Sequence, residues 1–417
     1  MFSSASLPVS KNSAFSVDIP RRFFARMLVI VGLVVFITFI GIGIIVPLFP
    51  FFGERIGASP ETITLAVAVG AFGQLISTPF WGWLSDRIGR KPVLLLSLLG
   101  STLANVLLAY ADTLPTLLFS RLVAGLMSGI IAVAFAAASD VTVGEQRAKA
   151  MGRIGACFSF GFMMGPALGG LLAGENPAST DYFGIAMMAA GLDVLALVLA
   201  VLFLRETHPA GERSGAPMFD RQLARRSLQH PVLMKMCLAN LLFAGSFAVI
   251  DSMLPLFGNR VHGLSPVQIG YMFTFMGLMS TLVQAFAVGR VSARFGVFSS
   301  VIAGLALFGV GQMFIAVSGS SATMVVGGFC IAAGFAIFNA PASTIVTTAV
   351  SPTERGTVLG IFQGAGNVGR TLTPLYSGWL FTAIGPAAPF VGASLIMVPA
   401  IGALWRARRA AELTTST

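Results

Sequence analysis

Long apolar runs broken by short polar stretches set the pattern of this chain. The runs cover approximately 27–51, 62–84, 93–110, 115–138, 150–173, 184–205, 232–256, 266–289, 298–317, 322–346, 357–382 and 388–406. None alternates apolar and polar residues as a barrel strand does, and each nears the ~20 residues that carry a helix across a bilayer. Only helices and closed barrels satisfy their own backbone in lipid, so the runs predict twelve membrane-spanning helices in an all-α protein. A polar tail, 1–26, ends in Arg21, Arg22 and Arg26. It is charged like the start of a secretory signal. The run behind it is too long for a signal core and has no small-residue cleavage site, so it reads as a retained first span.

The longest polar interruption, 206–231, contains Gly211, Gly215 and Pro217. It divides the chain into a six-helix bundle (27–205), a cytoplasmic linker, a second six-helix bundle (232–406) and a short tail (407–417). The halves repeat. GWLSDRIG (82–89) matches GRVSARFG (289–296) at a shift of 207, and EQRAKAMG (145–152) matches TERGTVLG (353–360) at 208. Pro166 and Gly170 recur as Pro374 and Gly378, again at 208. One near-constant offset predicts an internal duplication and two bundles that rock about a central site.

Composition excludes a soluble protein. Of 417 residues 56% are hydrophobic and only 10% charged, with a mean hydropathy of +0.87. Average soluble domains carry about 25% charged residues. The net charge of +10 would suggest nucleic acid in a soluble protein. Here 22 of the 26 basic residues fall on one side of the membrane if the N-terminus is cytoplasmic. The charge therefore predicts topology, with both termini cytoplasmic and basic residues against anionic lipid headgroups, and no nucleic-acid partner. Arginine outnumbers lysine 22 to 4, and with the short loops this suits a bacterial inner membrane. Cys157, Cys237 and Cys330 give no disulfide framework and no metal site. Val368-Gly-Arg370 lacks the lysine and the strand of a phosphate loop, and no catalytic triad appears. The chain reads as a non-enzyme without cofactor.

Two short segments carry the mechanism. After the second run comes Gly82-Trp-Leu-Ser-Asp86-Arg87-Ile-Gly89-Arg90-Lys91-Pro92. Gly82 would allow close helix approach, Gly89 a tight turn, and Pro92 a helix start. Asp86 among three cations can form a charge cluster that makes and breaks as helix ends move. After the fourth run comes Asp140-Val-Thr-Val-Gly-Glu145-Gln-Arg147-Ala-Lys149. The first run closely resembles the cytoplasmic signature of the major facilitator superfamily, and the second its companion loop. The resemblance implies the twelve-helix major facilitator fold, in which Asp86, Arg87 and Asp140 form a latch holding the outward-facing state. In the second repeat Ala293 replaces Asp86, so the latch there should be weak or absent.

The fifth run holds Gly161-Phe-Met-Met-Gly165-Pro166-Ala-Leu-Gly169-Gly170, a smooth face with a proline bend. It resembles the signature of the drug:proton antiporter group of the superfamily. The fourth run carries Arg121, Gly125 and Gly129, similar to that group's RxxxG element, whose arginine is linked to proton coupling. The first run carries Thr38 where many of these exporters have an acid. That departure weakens the reading of a proton site on span one.

A charge at mid-bilayer costs roughly 2.5–3.5 kcal/mol on insertion scales, so each such residue needs a reason. Arg121, Asp193, Asp251 and Arg370 all lie inside spans. By the resemblance, Asp251 and Arg121 reach the substrate cavity, Arg370 borders it, and Asp193 sits on a peripheral helix in a buried structural contact. A carboxylate taken out of water favours its protonated form, and a nearby arginine its charged form. Asp251 with Arg121 or Arg370 is thus the expected coupling device. The sequence reads as a monomeric secondary transporter exporting small, largely apolar compounds against protons. Uptake of an anionic metabolite or siderophore-like solute is an alternative, as is a non-transporting sensor or assembly protein.

Overall fold

The computed structural model describes residues 21–142, 145–208, 229–351 and 354–415. The N-terminal tail to residue 20 and most of the linker lie outside them. The described residues are helical and contain no strand. Eight predicted spans are single helices: the second (Pro60–Ile88), third (Arg90–Ala109), fifth (Glu145–Ala173), sixth (Tyr182–Phe203), seventh (Pro231–His262), ninth (Val297–Ala316), tenth (Ser321–Thr348) and eleventh (Arg355–Ala383). Among the described residues, eleven stretches are long and apolar enough to cross a membrane.

The predicted eleventh span is not among those eleven. It is one 29-residue helix, Arg355–Ala383. Its length is about 43 Å at 1.5 Å per residue, ample for a hydrocarbon core of about 30 Å. Gln363, Asn367, Arg370, Thr371 and Thr373 dilute its hydropathy. The helix packs between the second and seventh spans. Leu372, Leu375 and Trp379 form its exposed apolar stripe, and Arg370 lies on the far side of the helix from that stripe.

Four spans are broken. The first runs Arg21–Ile45 and, after a turn, Phe49–Arg55. Pro47 and Pro50 withhold backbone donors there. The eighth divides into Pro266–Phe286 and Val288–Phe295, and the twelfth into Ala388–Leu395 and Met397–Thr415. That last helix continues past the expected tail start at 407, because Ala, Arg, Glu and Leu are good helix formers. The fourth divides into Leu114–Leu126 and Ile130–Asp140. Carbonyls at the break take donors from the second span: Trp81 Nε1 donates to Leu126 O at 2.7 Å, and Ser77 Oγ to Gly125 O at 2.9 Å, beside the N–H and hydroxyl of Ser128. A broken helix is tolerated at membrane depth only where protein supplies such partners.

The helix pairings follow the sequence repeat. The first span packs on the fifth and, correspondingly, the seventh on the eleventh. Across the halves the second packs on the eleventh and the fifth on the eighth. The end carrying Arg87, Arg90, Lys91 and Arg147 is called the basic end below, and the end carrying Glu54 and Arg260 the opposite end.

Candidate functional site

At the basic end the organising cation is Arg90. Its buried guanidinium donates to Asp86 Oδ1 at 2.5 Å, to Asp140 Oδ2 at 2.8 Å and to Ser85 Oγ at 2.7 Å. The cluster ties together the second, third and fourth spans. Arg87, expected in the latch, instead lies over the Trp83 ring at 4.3 Å. Arg147 donates to Ser139 O at 3.2 Å, and Lys91 Nζ to Val201 O at 2.9 Å.

Glu206, which no sequence motif marked, completes the cluster. Its carboxylate accepts from the backbone N–H of Arg90 at 2.8 Å and of Lys91 at 3.2 Å. It thereby caps the third span, where a negative charge is favoured. Gly89 makes this possible twice over: its φ of 105° lies in the region that favours glycine, and a Cβ there would collide with Glu206 Oε2. Gly82 has no such neighbour. A Cβ at that position would meet nothing within 4 Å, so the close approach expected there is not made in this conformation. In the second repeat, Arg290 and Arg294 form no ion pair among the described residues; Arg294 lies over Phe295 at 5.6 Å.

The fifth-span glycines divide between two partners. A Cβ at Gly161 would strike Phe36 O, at Gly165 would lie 2.5 Å from Gly43 Cα, and at Gly169 would lie 2.5 Å from Ile44 O. These three seat the first span of the same half. Gly170 faces Pro266 and Gly270 of the other half, and Pro166 O presses on Gly270.

Within the membrane, Arg370 Nη2 stands 3.6 Å from Asp251 Oδ2, joining the eleventh and seventh spans. The Arg370 side chain is 41% exposed and that of Asp251 13%. An arginine exposed in mid-span, on the side away from the lipid-facing stripe, opens onto space inside the bundle rather than onto hydrocarbon. Asn240 Nδ2 reinforces the same helix pair by donating to Phe362 O at 2.7 Å.

Arg121 does not join that pair. Its guanidinium lies over the Phe49 ring at 4.7 Å, just past the break in the first span, and its Nε is buried without a hydrogen-bond partner. The RxxxG spacing is explained by packing. Gly125 seats against Gly70 of the second span, and Gly129 against Trp81 and Ser97. Thr38 is fully buried, with its hydroxyl unpartnered, and does not face open space as Arg370 does. Asp193 is also fully buried and accepts from Ser101 Oγ at 2.6 Å and Asn105 Nδ2 at 3.0 Å.

The halves meet near the opposite end. Arg260 Nη2 pairs with Glu54 Oε1 at 2.6 Å, and Thr382 bonds to Glu61. Gly378 abuts Pro60, Glu61 and Thr64. Residues of the first and second spans thus lock onto the seventh and eleventh.

Comparison with known proteins agrees with this architecture. The family model described as Major Facilitator Superfamily matches residues 31–296 and 236–417. "Multidrug resistance protein 2" of Bacillus subtilis (strain 168) is 28% identical over 90% of this chain and 94% of its own length. "Tetracycline resistance protein, class E" of Escherichia coli is 30% identical over 86% of this chain and 88% of its own. The solved nucleoside transporter NupG superposes with a TM-score of 0.76, covering 91% of this chain and 98% of that one at 13% identity, which speaks to fold alone. With its twelve-run duplication, its signature loop and this pairing of helices, the chain is a multi-pass membrane transporter belonging to the major facilitator superfamily.

Proposed function

We propose that this transporter is a proton-driven exporter of small, largely apolar compounds, working by alternating access of the bundles 27–205 and 232–406. The observation that carries the proposal is the Asp251–Arg370 pair: a carboxylate in mid-membrane, with one arginine that itself faces internal space. A carboxylate that exchanges its arginine for a proton takes that proton up on one side and releases it on the other as the bundles rock. The resistance functions named for the relatives support drug-type cargo. The chain's 35 Phe and 18 Met supply an apolar, adaptable lining for it.

In this reading the basic end is cytoplasmic, both termini are inside, and the protein works as a monomer in a bacterial inner membrane, with its basic residues against anionic lipid. The contacts that lock the opposite end then belong to an inward-facing state. The cluster of Asp86, Arg90 and Asp140, with Arg87, Lys91 and Arg147 around it, is the surface the second half meets when the basic end closes.

The test is transport in proteoliposomes under an imposed pH gradient, with a lipophilic fluorescent dye as cargo. Gradient-driven extrusion is expected, and its loss in Asp251→Asn. Normal gradient-driven transport by Asp251→Asn would sink the coupling role. One observation favours a second reading. Arg121 forms no ion pair among the described residues and, packed over Phe49, is a cation without an anionic partner, the kind of group an anionic solute would seek. Accumulation of an organic anion, in place of dye extrusion, would decide for uptake.

A further inference from the structure

Each half of the protein has a buried polar cluster between its helices, and of the two only that of the first half contains an acid. In the second half, Gln312 Nε2 of the ninth span donates to Ser246 Oγ of the seventh at 2.5 Å, and Ser246 Oγ donates to Ala393 O of the twelfth at 3.0 Å. Every member is neutral. The repeat shift of 208 maps Ser246 onto Thr38, and the shift of 207 maps Gln312 onto Asn105. The first half thus holds Thr38 of the first span and Asn105 of the third at the corresponding positions. It adds Ser101 and, from the sixth span, Asp193, whose counterpart at 208 is Ile401.

The helix register agrees. The first and sixth spans run antiparallel, with Phe52 against Tyr182 at one end and Gly41 against Ala189 further along. One turn back from Gly41 is Thr38, and one turn on from Ala189 is Asp193, on facing sides. Both are fully buried.

The hydrogen bonds of Asp193 are lopsided. Ser101 and Asn105 both donate to Oδ2, while Oδ1 is buried and unpartnered, as is Thr38 Oγ1. No cation compensates the carboxyl. The first span has no titratable side chain between Arg26 and Glu54, the third none between Lys91 and Tyr110, and the sixth none besides Asp193 between Tyr182 and Arg205. On the fifth span the groups of this kind are Glu145, Arg147, Lys149, Arg153 and Cys157; the last of these along the helix, Cys157, packs on Gly32, more than a turn from Thr38. Among the described residues Asp193 makes no ion pair. A buried carboxylate with no counter-ion is costly in lipid, whereas a neutral acid at this junction matches the uncharged network of the second half.

We infer that Asp193 is a resident proton-binding site of the N-terminal bundle, with the hydrogen on Oδ1 and the Thr38 hydroxyl as the polar group that the register offers to it. The site is separate from the Asp251–Arg370 pair and does not depend on the direction or cargo of transport. It makes the docking of the first and third spans onto the sixth sensitive to alkali, because withdrawing the proton leaves a bare charge where both pack on it.

Infrared difference spectroscopy tests this on the purified full chain in detergent. Wild type minus Asp193→Asn at neutral pH should show the carbonyl stretch of a protonated carboxylic acid, and Thr38→Val should shift that band. Melting should fall as pH rises in the wild type and stay flat in Asp193→Asn, which keeps the shape of the neutral acid. A carboxylate band in place of the acid band would overturn the inference. So would a sodium-dependent rise in melting temperature, relative to choline, that Asp193→Asn abolishes, since the neutralising ligand would then be a metal cation. Should Asp193→Asn not fold, the wild-type acid band and its loss on alkaline titration, with Thr38→Val as the second variant, decide the matter; an acid band unmoved by Thr38→Val removes Thr38 from the site.

Discussion

Asp251 and Arg370, whose side chains pair at 3.6 Å, each stand four residues before a proline inside its own helix, Pro255 and Pro374. Proline has no N–H to offer the carbonyl four residues back, and its ring crowds that carbonyl. The ion pair therefore bridges two helices where both backbones have lost a rung. Pro255→Ala and Pro374→Ala would return a donor to the Asp251 and Arg370 carbonyls. Turnover in proteoliposomes should fall by about three- to tenfold, with melting temperature unchanged or raised, if bending at these points gates transport. Unchanged turnover in both variants would show that the bends are passive.

The glycines make a sharper prediction about packing. Gly165→Ala and Gly125→Ala force a methyl into Gly43 and Gly70 respectively, where only backbone is available to move. Each should lower stability by about 1–3 kcal/mol. Gly82→Ala and Gly152→Ala meet nothing within 4 Å. They should leave thermal melting of the solubilised protein within about 0.5 kcal/mol of wild type. Any effect of Gly82→Ala would then show in transport, through the conformation in which the basic end closes.

Arg90 and Arg87 are separated by one turn yet should behave differently. Removing Arg90 leaves Asp86 and Asp140 facing each other without their shared cation, and Asp140 is the more enclosed of the two. Arg90→Ala should cost about 1–3 kcal/mol, whereas Arg87→Ala loses a stacking contact worth about 0.5–1 kcal/mol. Thermal melting of the two variants side by side checks the order, and a reversed order would refute the assignment of Arg90 as the organising cation.

The Glu54–Arg260 bridge joins the halves at the opposite end and is partly exposed on both sides. Exposed pairs contribute about 0–1 kcal/mol, so Arg260→Ala should shift the balance of conformations by no more than about fivefold toward opening at that end. Distance measurements between spin labels on the first and seventh spans should detect the shift, and high salt should produce part of it in the wild type.

The spans could be read from the sequence because lipid demands apolar length, and the eleventh stood out as an apolar run even though its polar residues dilute its hydropathy. The breaks in the first and fourth spans could not. Pro47, Gly125 and Gly129 are common inside membrane helices, and whether the chain parts there depends on Trp81 and Ser77 arriving from another span. Arg87 and Arg90 look alike in a string; the turn at Gly89 decides which one faces Asp140. Glu206 was hidden for a different reason. It opens a polar stretch that reads as linker, and its partner amides lie 116 and 115 residues earlier. Asp251 and Arg370 stood out individually as charges in apolar runs, but their pairing needed the packing of the seventh span on the eleventh.

The parted fourth span also bears on how the protein is made. Its pieces of 13 and 11 residues are each shorter than the ~20 that cross a bilayer. Neither is a stable membrane segment alone, and the carbonyls between them must be satisfied before lipid closes around them. Their donors, Ser77 and Trp81, precede them in the chain by about 45 residues. Synthesis from the N-terminus thus delivers the donors first, and the fourth span completes its insertion against a helix already in place.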